Sequence, residues 1–116
     1  MVNQFMKRLI FIVTMHQVFM ERILEIKDKT GRNVYLTRER YKHIMKHPEM
    51  QNSIDVIEQT VKNPDKTIEY SIEPDIRFYY SHHKNRKSKA RYLRVVIKYM
   101  NGEGFVITAY FVVKMT

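Results

Sequence analysis

Residues 92–113 read YLRVVIKYMNGEGFVITAYFVV, and the fold turns on how this stretch pairs with itself. Two runs rich in Val, Ile, Tyr and Phe flank Asn101-Gly102, the composition of antiparallel strands around a tight connection. Leu93, Val95 and Ile97 on the first run, with Phe105, Ile107, Ala109, Phe111 and Val113 on the second, predict one apolar sheet face. Partners across a ladder share a face, so a slip of one residue would invert every side chain. That parity predicts an odd loop, Asn101-Gly102-Glu103, in place of the two-residue turn that Asn-Gly alone suggests. The register then sets Arg94 opposite Tyr110 and Val96 opposite Thr108.

Upstream, the alternating Ile68, Tyr70 and Ile72 and the run Ile76–Tyr80 supply two more strands, separated by Glu73-Pro74-Asp75. Two helices precede them. Thr37 is a suitable N-cap for a helix over Arg38–His47, which Pro48 stops. Tyr41, Ile44 and Met45 fall on one side of it, and Arg40, His43 and His47 on the other. A second helix over about Ser53–Lys62, capped by Asn52 or Ser53, buries Ile54, Ile57 and Val61. Ile23–Ile26 and Val34–Leu36 read as short strands around the turn Asp28-Lys29-Thr30-Gly31. The expected class is α+β: short N-terminal strands, two helices, then a four-stranded antiparallel sheet with one face on the helices. The other face is expected to present Arg77, Tyr79, Tyr92, Arg94, Lys98, Thr108 and Tyr110. Such a mixture of cations and aromatics can pair phosphates and stack bases.

The chain has 116 residues, 44% apolar and 28% charged, which suits one globular domain, expected over residues 21–116. Residues 1–20 form an N-terminal extension. Its run Leu9–Val13 follows Lys7-Arg8 but is too short to span a bilayer, and no small-residue cleavage site follows. Cysteine is absent, which excludes disulfides and thiolate-bound zinc and fits a reducing cytoplasm. The net charge of +9 is concentrated. Residues 82–99 hold Lys84, Arg86, Lys87, Lys89, Arg91, Arg94 and Lys98 with no acidic residue, and residues 64–81 are net acidic. A basic block of this kind is the footprint of a polyanion partner.

His43-x-x-x-His47 places two imidazoles side by side on a helix. Zinc proteases carry Glu directly after the first histidine, where Ile44 stands here. His82 and His83 lie in a basic stretch that would repel a dication. No metal and no cofactor are expected. Metal-free RNA cleavage needs a group to take the 2′-hydroxyl proton, a group to protonate the leaving 5′-oxygen, and cations at the phosphate. His43, His47, Arg40, the basic strand and hydroxyls such as Thr108 or Tyr80 can supply these. The plainer reading is two exposed histidines on a solvated helix.

The segments LTRERYKHIMKHPEM (36–50), IEQTVKNPD (57–65), FYY (78–80), RYLRVVIKY (91–99) and GFVITAY (104–110) together resemble one known group. It is the phage-associated branch of the barnase–EndoU–colicin–RelE-like nuclease superfold, and the likeness runs from about Ile23 to Lys114. It implies two helices followed by a four-stranded antiparallel sheet. It also implies a metal-independent, toxin-like ribonuclease with a small antitoxin or immunity partner. The matching positions are His43 and His47 of the first helix, the paired aromatics Tyr79 and Tyr80, Thr108 and Tyr110, and Arg91 or Arg94.

The combined expectation is a toxin-like endoribonuclease with His43, His47, Tyr80 and Thr108 as catalytic residues. Arg40, Lys84, Arg86, Lys87, Lys89, Arg91, Arg94 and Tyr110 would bind nucleic acid. RNA and a small acidic protein are the expected partners, without a membrane. A non-catalytic nucleic-acid-binding module would use the same basic block. A toxin-like protein acting through an acidic protein partner is the third reading.

Overall fold

The computed structural model describes residues 21–116, so the readings that concern residues 1–20 lie outside it. In chain order the elements are β1 (Arg22–Lys27), β2 (Asn33–Thr37), α1 (Arg38–Ile44), a 3-10 turn (Pro48–Met50), α2 (Ile54–Lys62), β3 (Lys66–Glu69), β4 (Ile76–His82), β5 (Tyr92–Met100) and β6 (Glu103–Val112). The expected sequence of two strands, two helices and four strands is present, but the separate four-stranded antiparallel sheet is not. All six strands form one mixed sheet in the order β1-β2-β6-β5-β4-β3, and β2 runs parallel to β6.

Gly104 makes that seam possible. A Cβ there would lie 2.8 Å from the Tyr99 ring, 2.9 Å from Ile97 and 3.1 Å from Val34. Without one, β2 comes alongside β6, and Val34 and Leu36 are buried in the common core. A lone two-stranded ribbon would have left this apolar row in water.

The parity of the β5–β6 ladder is resolved differently from the expected three-residue loop. Asn101 and Gly102 have φ of 56° and 79°, and Met100 pairs directly with Glu103, so the turn has two residues. The odd residue is a β-bulge. Val96 pairs with Thr108 and Ile97 with Val106, which leaves Ile107 extruded between them. The bulge puts Val106 and Ala109 on the buried face and moves Phe105 to the other, where its ring lies 5.7 Å from Tyr35. Val113 is exposed.

Thr37 caps α1 as expected, its Oγ1 accepting from the Arg40 N–H at 3.2 Å. The helix ends at Ile44 rather than His47. Pro48 holds His47 extended, at φ −81° and ψ 121°, and the chain leaves through tight turns. Ser53 precedes α2, and its main-chain N–H donates to the Tyr41 hydroxyl at 2.9 Å, fastening the two helices together. Tyr41, Ile44, Ile57 and Val61 pack on the sheet face that carries Leu93, Val95, Ile97 and Ala109. No helix among the described residues is long and apolar enough to cross a membrane.

Arg77 and Tyr79 do not belong to the open face. Tyr79 pairs with Val95 and Arg77 with Ile97, so both side chains project to the helix side, and Tyr79 is 2% exposed. Burial is tolerable because the hydroxyl is satisfied, 2.6 Å from that of Tyr99. Tyr99 donates in turn to Asp28 Oδ2 at 2.6 Å. Asp28 sits in the β1–β2 turn, where Oδ1 also accepts from Thr30 N, Thr30 Oγ1 and Arg32 N. Burial pushes the Asp28 carboxyl up, but the hydrogen bonds from Tyr99, Thr30 and Arg32 outweigh it and hold it below its ordinary value. The same arrangement drives the Tyr99 hydroxyl well above its ordinary range, through burial first and then Asp28 and Tyr79.

Candidate nucleic-acid interface

The face away from the helices carries Phe78 and Tyr80 from β4, Tyr92 and Arg94 from β5, and Thr108 and Tyr110 from β6. Arg94 is at its centre, opposite Tyr110 on one side and Tyr80 on the other. Its Nε donates to the Tyr80 hydroxyl at 2.9 Å and its Nη1 to the Tyr110 hydroxyl at 3.0 Å. The guanidinium carbon lies 4.9 Å from the Phe78 ring centroid, so aromatic faces surround it as well. Burial disfavours its charge, but the hydrogen bonds to Tyr110 and Tyr80 more than restore it. Arg94 is therefore a positioned cation with a geometry suited to an anionic oxygen.

A main-chain oxygen already reaches this cluster. The main-chain oxygen of Thr116 accepts from the Tyr80 hydroxyl at 2.7 Å and lies 3.5 Å from Arg94 Nη2. Beside it, Lys66 donates to the Met115 carbonyl at 3.4 Å. Tyr80 is fully buried. Thr108 shares the face two residues from Tyr110, opposite Val96. Lys98 shares it too, but is 7% exposed and ion-paired with Glu73.

Helix α1 meets the sheet at β6 through Arg40. β2 pairs with β6 only at Gly104 and Phe105, and α1 packs against β6. There Arg40 donates through Nε and Nη2, at 3.0 and 2.7 Å, to the carbonyl of the bulged Ile107. The expected phosphate ligand Arg40 is thus committed to the fold, and burial lowers its pKa. His43, one turn further along, is a helix neighbour of Arg40, and Thr108 follows Ile107 in the chain. His43 and His47 are both exposed. The structure makes no hydrogen bond from either imidazole to Arg94, Tyr80 or Tyr110.

The β4–β5 hairpin carries the basic block in an ordered loop. His83 N donates to Arg91 O at 2.7 Å, and Arg86 N to His83 O at 3.1 Å. Arg86 is structural, with its guanidinium 3.6 Å above Phe111 and its Nε on the Ala90 carbonyl. Lys84, Lys87, Lys89 and Arg91 remain exposed. His82 stacks on Tyr92 at 4.7 Å and walls two open clefts. One, of about 460 Å³, is completed by His83, Lys84, Asn85 and Arg86. The other, of about 400 Å³, is completed by Lys89, Arg91, Tyr92 and Val113.

Sequence reasoning passed over His82 and His83 except as metal ligands, because their partners Tyr92, Ser81 and Phe111 are brought to them only by the ladder. The tandem His82-His83 at the start of the basic block was the available signal. Among the described residues no group of three or more His, Asp or Glu side chains is placed to hold a metal ion. No family model, no curated protein and no solved structure matches this chain.

Proposed function

We propose that the protein is a metal-independent endoribonuclease, toxin-like in kind, acting on cytoplasmic RNA. The observation that supports this reading best is Arg94, half-buried and held between the Tyr80 and Tyr110 hydroxyls on the aromatic face away from the helices. In it, Arg94 grips a phosphate of the bound strand. Tyr92 and His82 offer a stacking platform two residues, roughly 7 Å, along the ladder. Lys84, Lys87, Lys89 and Arg91 track the backbone of the same RNA. An imidazole moves the 2′-hydroxyl proton: His43 and His47 stand beside α1, His82 at the hairpin end of this surface, and His83 next to it on the helix side, where it meets Ser81 and Phe111. The likeness of the Thr-Ala-Tyr segment at 108–110 to the nuclease group points the same way. The four-stranded sheet that this likeness implied does not hold. An acidic antitoxin or immunity protein would compete for the hairpin cations.

The test is incubation with total bacterial RNA in EDTA, beside Arg94→Ala. Cleavage in EDTA that the substitution removes supports the reading, and intact RNA with the wild-type protein sinks it. A non-catalytic RNA-binding module is favoured by one specific observation: the imidazoles of His43 and His47 are exposed and unattached to the Arg94 cluster. Salt-sensitive binding without cleavage would select it.

A further inference from the structure

Thr60 on α2, Ser81 on β4 and His83 form a chain of hydrogen bonds whose direction follows from counting protons. Thr60 Oγ1 lies 2.7 Å from the carbonyl of Val56 and can only donate to it. Its single proton is then spent, so in the 2.6 Å contact with Ser81 Oγ, Thr60 accepts and Ser81 donates. Ser81 in turn has no proton left for the 2.8 Å contact with His83 Nε2, so the imidazole donates. Thr60 is 1% exposed, which leaves water little access to rearrange the chain. Ser81 is thereby excluded as a nucleophile activated by His83, since its proton points the other way.

The relay selects the tautomer of the ring. Nε2 carries the proton, and in the neutral imidazole Nδ1 keeps its lone pair. The neutral form is favoured: burial lowers the pKa of His83 first, Arg86 and His82 add to this, and Asp65 opposes them without prevailing. The Phe111 ring meets the imidazole edge-on at 5.5 Å and fixes its plane. His83 lines the 460 Å³ cleft together with His82, Lys84 and Asn85. A neutral, oriented imidazole beside exposed cations has the form of a general base.

We propose that His83 Nδ1 accepts the 2′-hydroxyl proton of an RNA strand seated in this cleft, an assignment that rests on the endoribonuclease reading. The 2′-oxygen bonds to phosphorus as its proton passes to Nδ1, and the bond from phosphorus to the 5′-oxygen breaks. The leaving oxygen takes a proton from water in the open cleft, and the imidazolium returns its proton to the hydroxide so formed. The products are a 2′,3′-cyclic phosphate and a 5′-hydroxyl, with no change of oxidation state. His83, which sequence reasoning left without a role, then does what His43 was expected to do.

The experiment compares wild type and His83→Ala on total bacterial RNA in EDTA, with folding checked by thermal melting. His83→Ala is expected to slow cleavage by about 100-fold or more while RNA binding is retained. Nitrogen-15 spectra of the imidazoles at pH 7 should show His83 protonated at Nε2 and bare at Nδ1, and Ser81→Ala should mix the two tautomers. Full cleavage by His83→Ala, or a proton on Nδ1, overturns the assignment and leaves the ribonuclease reading standing. A wild-type protein that cuts no RNA overturns that reading, and the assignment with it.

Discussion

Arg40 donates two hydrogen bonds to the carbonyl of Ile107, the residue that the β5–β6 ladder extrudes. One contact thus ties the first helix to the irregularity that sets the phase of the last strand. Upstream of the bulge Val106 faces the core, and downstream Ala109 does so, while Thr108 and Tyr110 are turned toward Arg94. The candidate site owes its composition to this single inserted residue.

Replacing Arg40 with Met keeps much of the stem and removes both donors. The Ile107 carbonyl would lose a charge-assisted partner in a partly buried place, at a cost of about 1–3 kcal/mol. Thermal or urea unfolding should show that loss. A variant as stable as wild type would mean that water replaces the guanidinium at no cost.

The bulge also explains what could and could not be read beforehand. The pairings of Arg94 with Tyr110 and of Val96 with Thr108 follow from alternation together with an odd loop, and they hold because the bulge supplies the one-residue offset that the loop does not. The extra residue was legible as a parity conflict, but not its place: Asn101-Gly102 satisfies a type I′ turn, and nothing local marks Ile107 as the residue to extrude. The parallel seam between β2 and β6 was hidden for a related reason, since Gly104 shows its purpose only beside Val34 and Tyr99. Tyr79 was placed on the wrong face because its burial depends on Asp28 and Tyr99, distant in sequence. Of the site residues, Tyr80, Arg94 and Tyr110 come together as a set, whereas Arg40 and Arg86 turn out to be structural.

Gly104→Ala tests the seam. The new methyl would meet Tyr99 and Ile97 inside 3.0 Å, and β2 or the Tyr99 ring would have to move. Overpacking of this kind costs about 1–3 kcal/mol. Denaturant unfolding should give a lower midpoint, and an unchanged midpoint would show that the seam is looser than these contacts require.

Asp28→Asn tests the buried Asp28–Tyr99 contact through pH. The Asp28 carboxyl lies below its ordinary 3.8 in the folded chain, so its contribution is fully present above that value. It is lost as pH falls through the folded-state value. The variant should be less stable by about 1–3 kcal/mol near neutrality, because an amide nitrogen would face donors. Protonation removes the wild type's advantage, so the gap should narrow as pH drops below 3.8. A gap constant from pH 7 to pH 2 would show that the charge of Asp28 contributes nothing.

The hairpin cations and Arg94 make separable contributions to RNA binding. Lys84, Lys87, Lys89 and Arg91 are exposed, so each acts through its charge on the phosphate backbone. Changing two of them, Lys87→Gln with Lys89→Gln, should weaken binding and lower the slope of log affinity against log salt by about one unit or slightly more. Tyr110→Phe leaves net charge untouched but removes an anchor from Arg94 Nη1. It should leave the salt slope unchanged and lower affinity or turnover through a less well-oriented guanidinium. Fluorescence anisotropy with a labelled single-stranded RNA at several salt concentrations distinguishes the two effects. If both variants changed the slope alike, Arg94 would be one more diffuse charge, and the Tyr80–Arg94–Tyr110 arrangement would have no special part in gripping RNA.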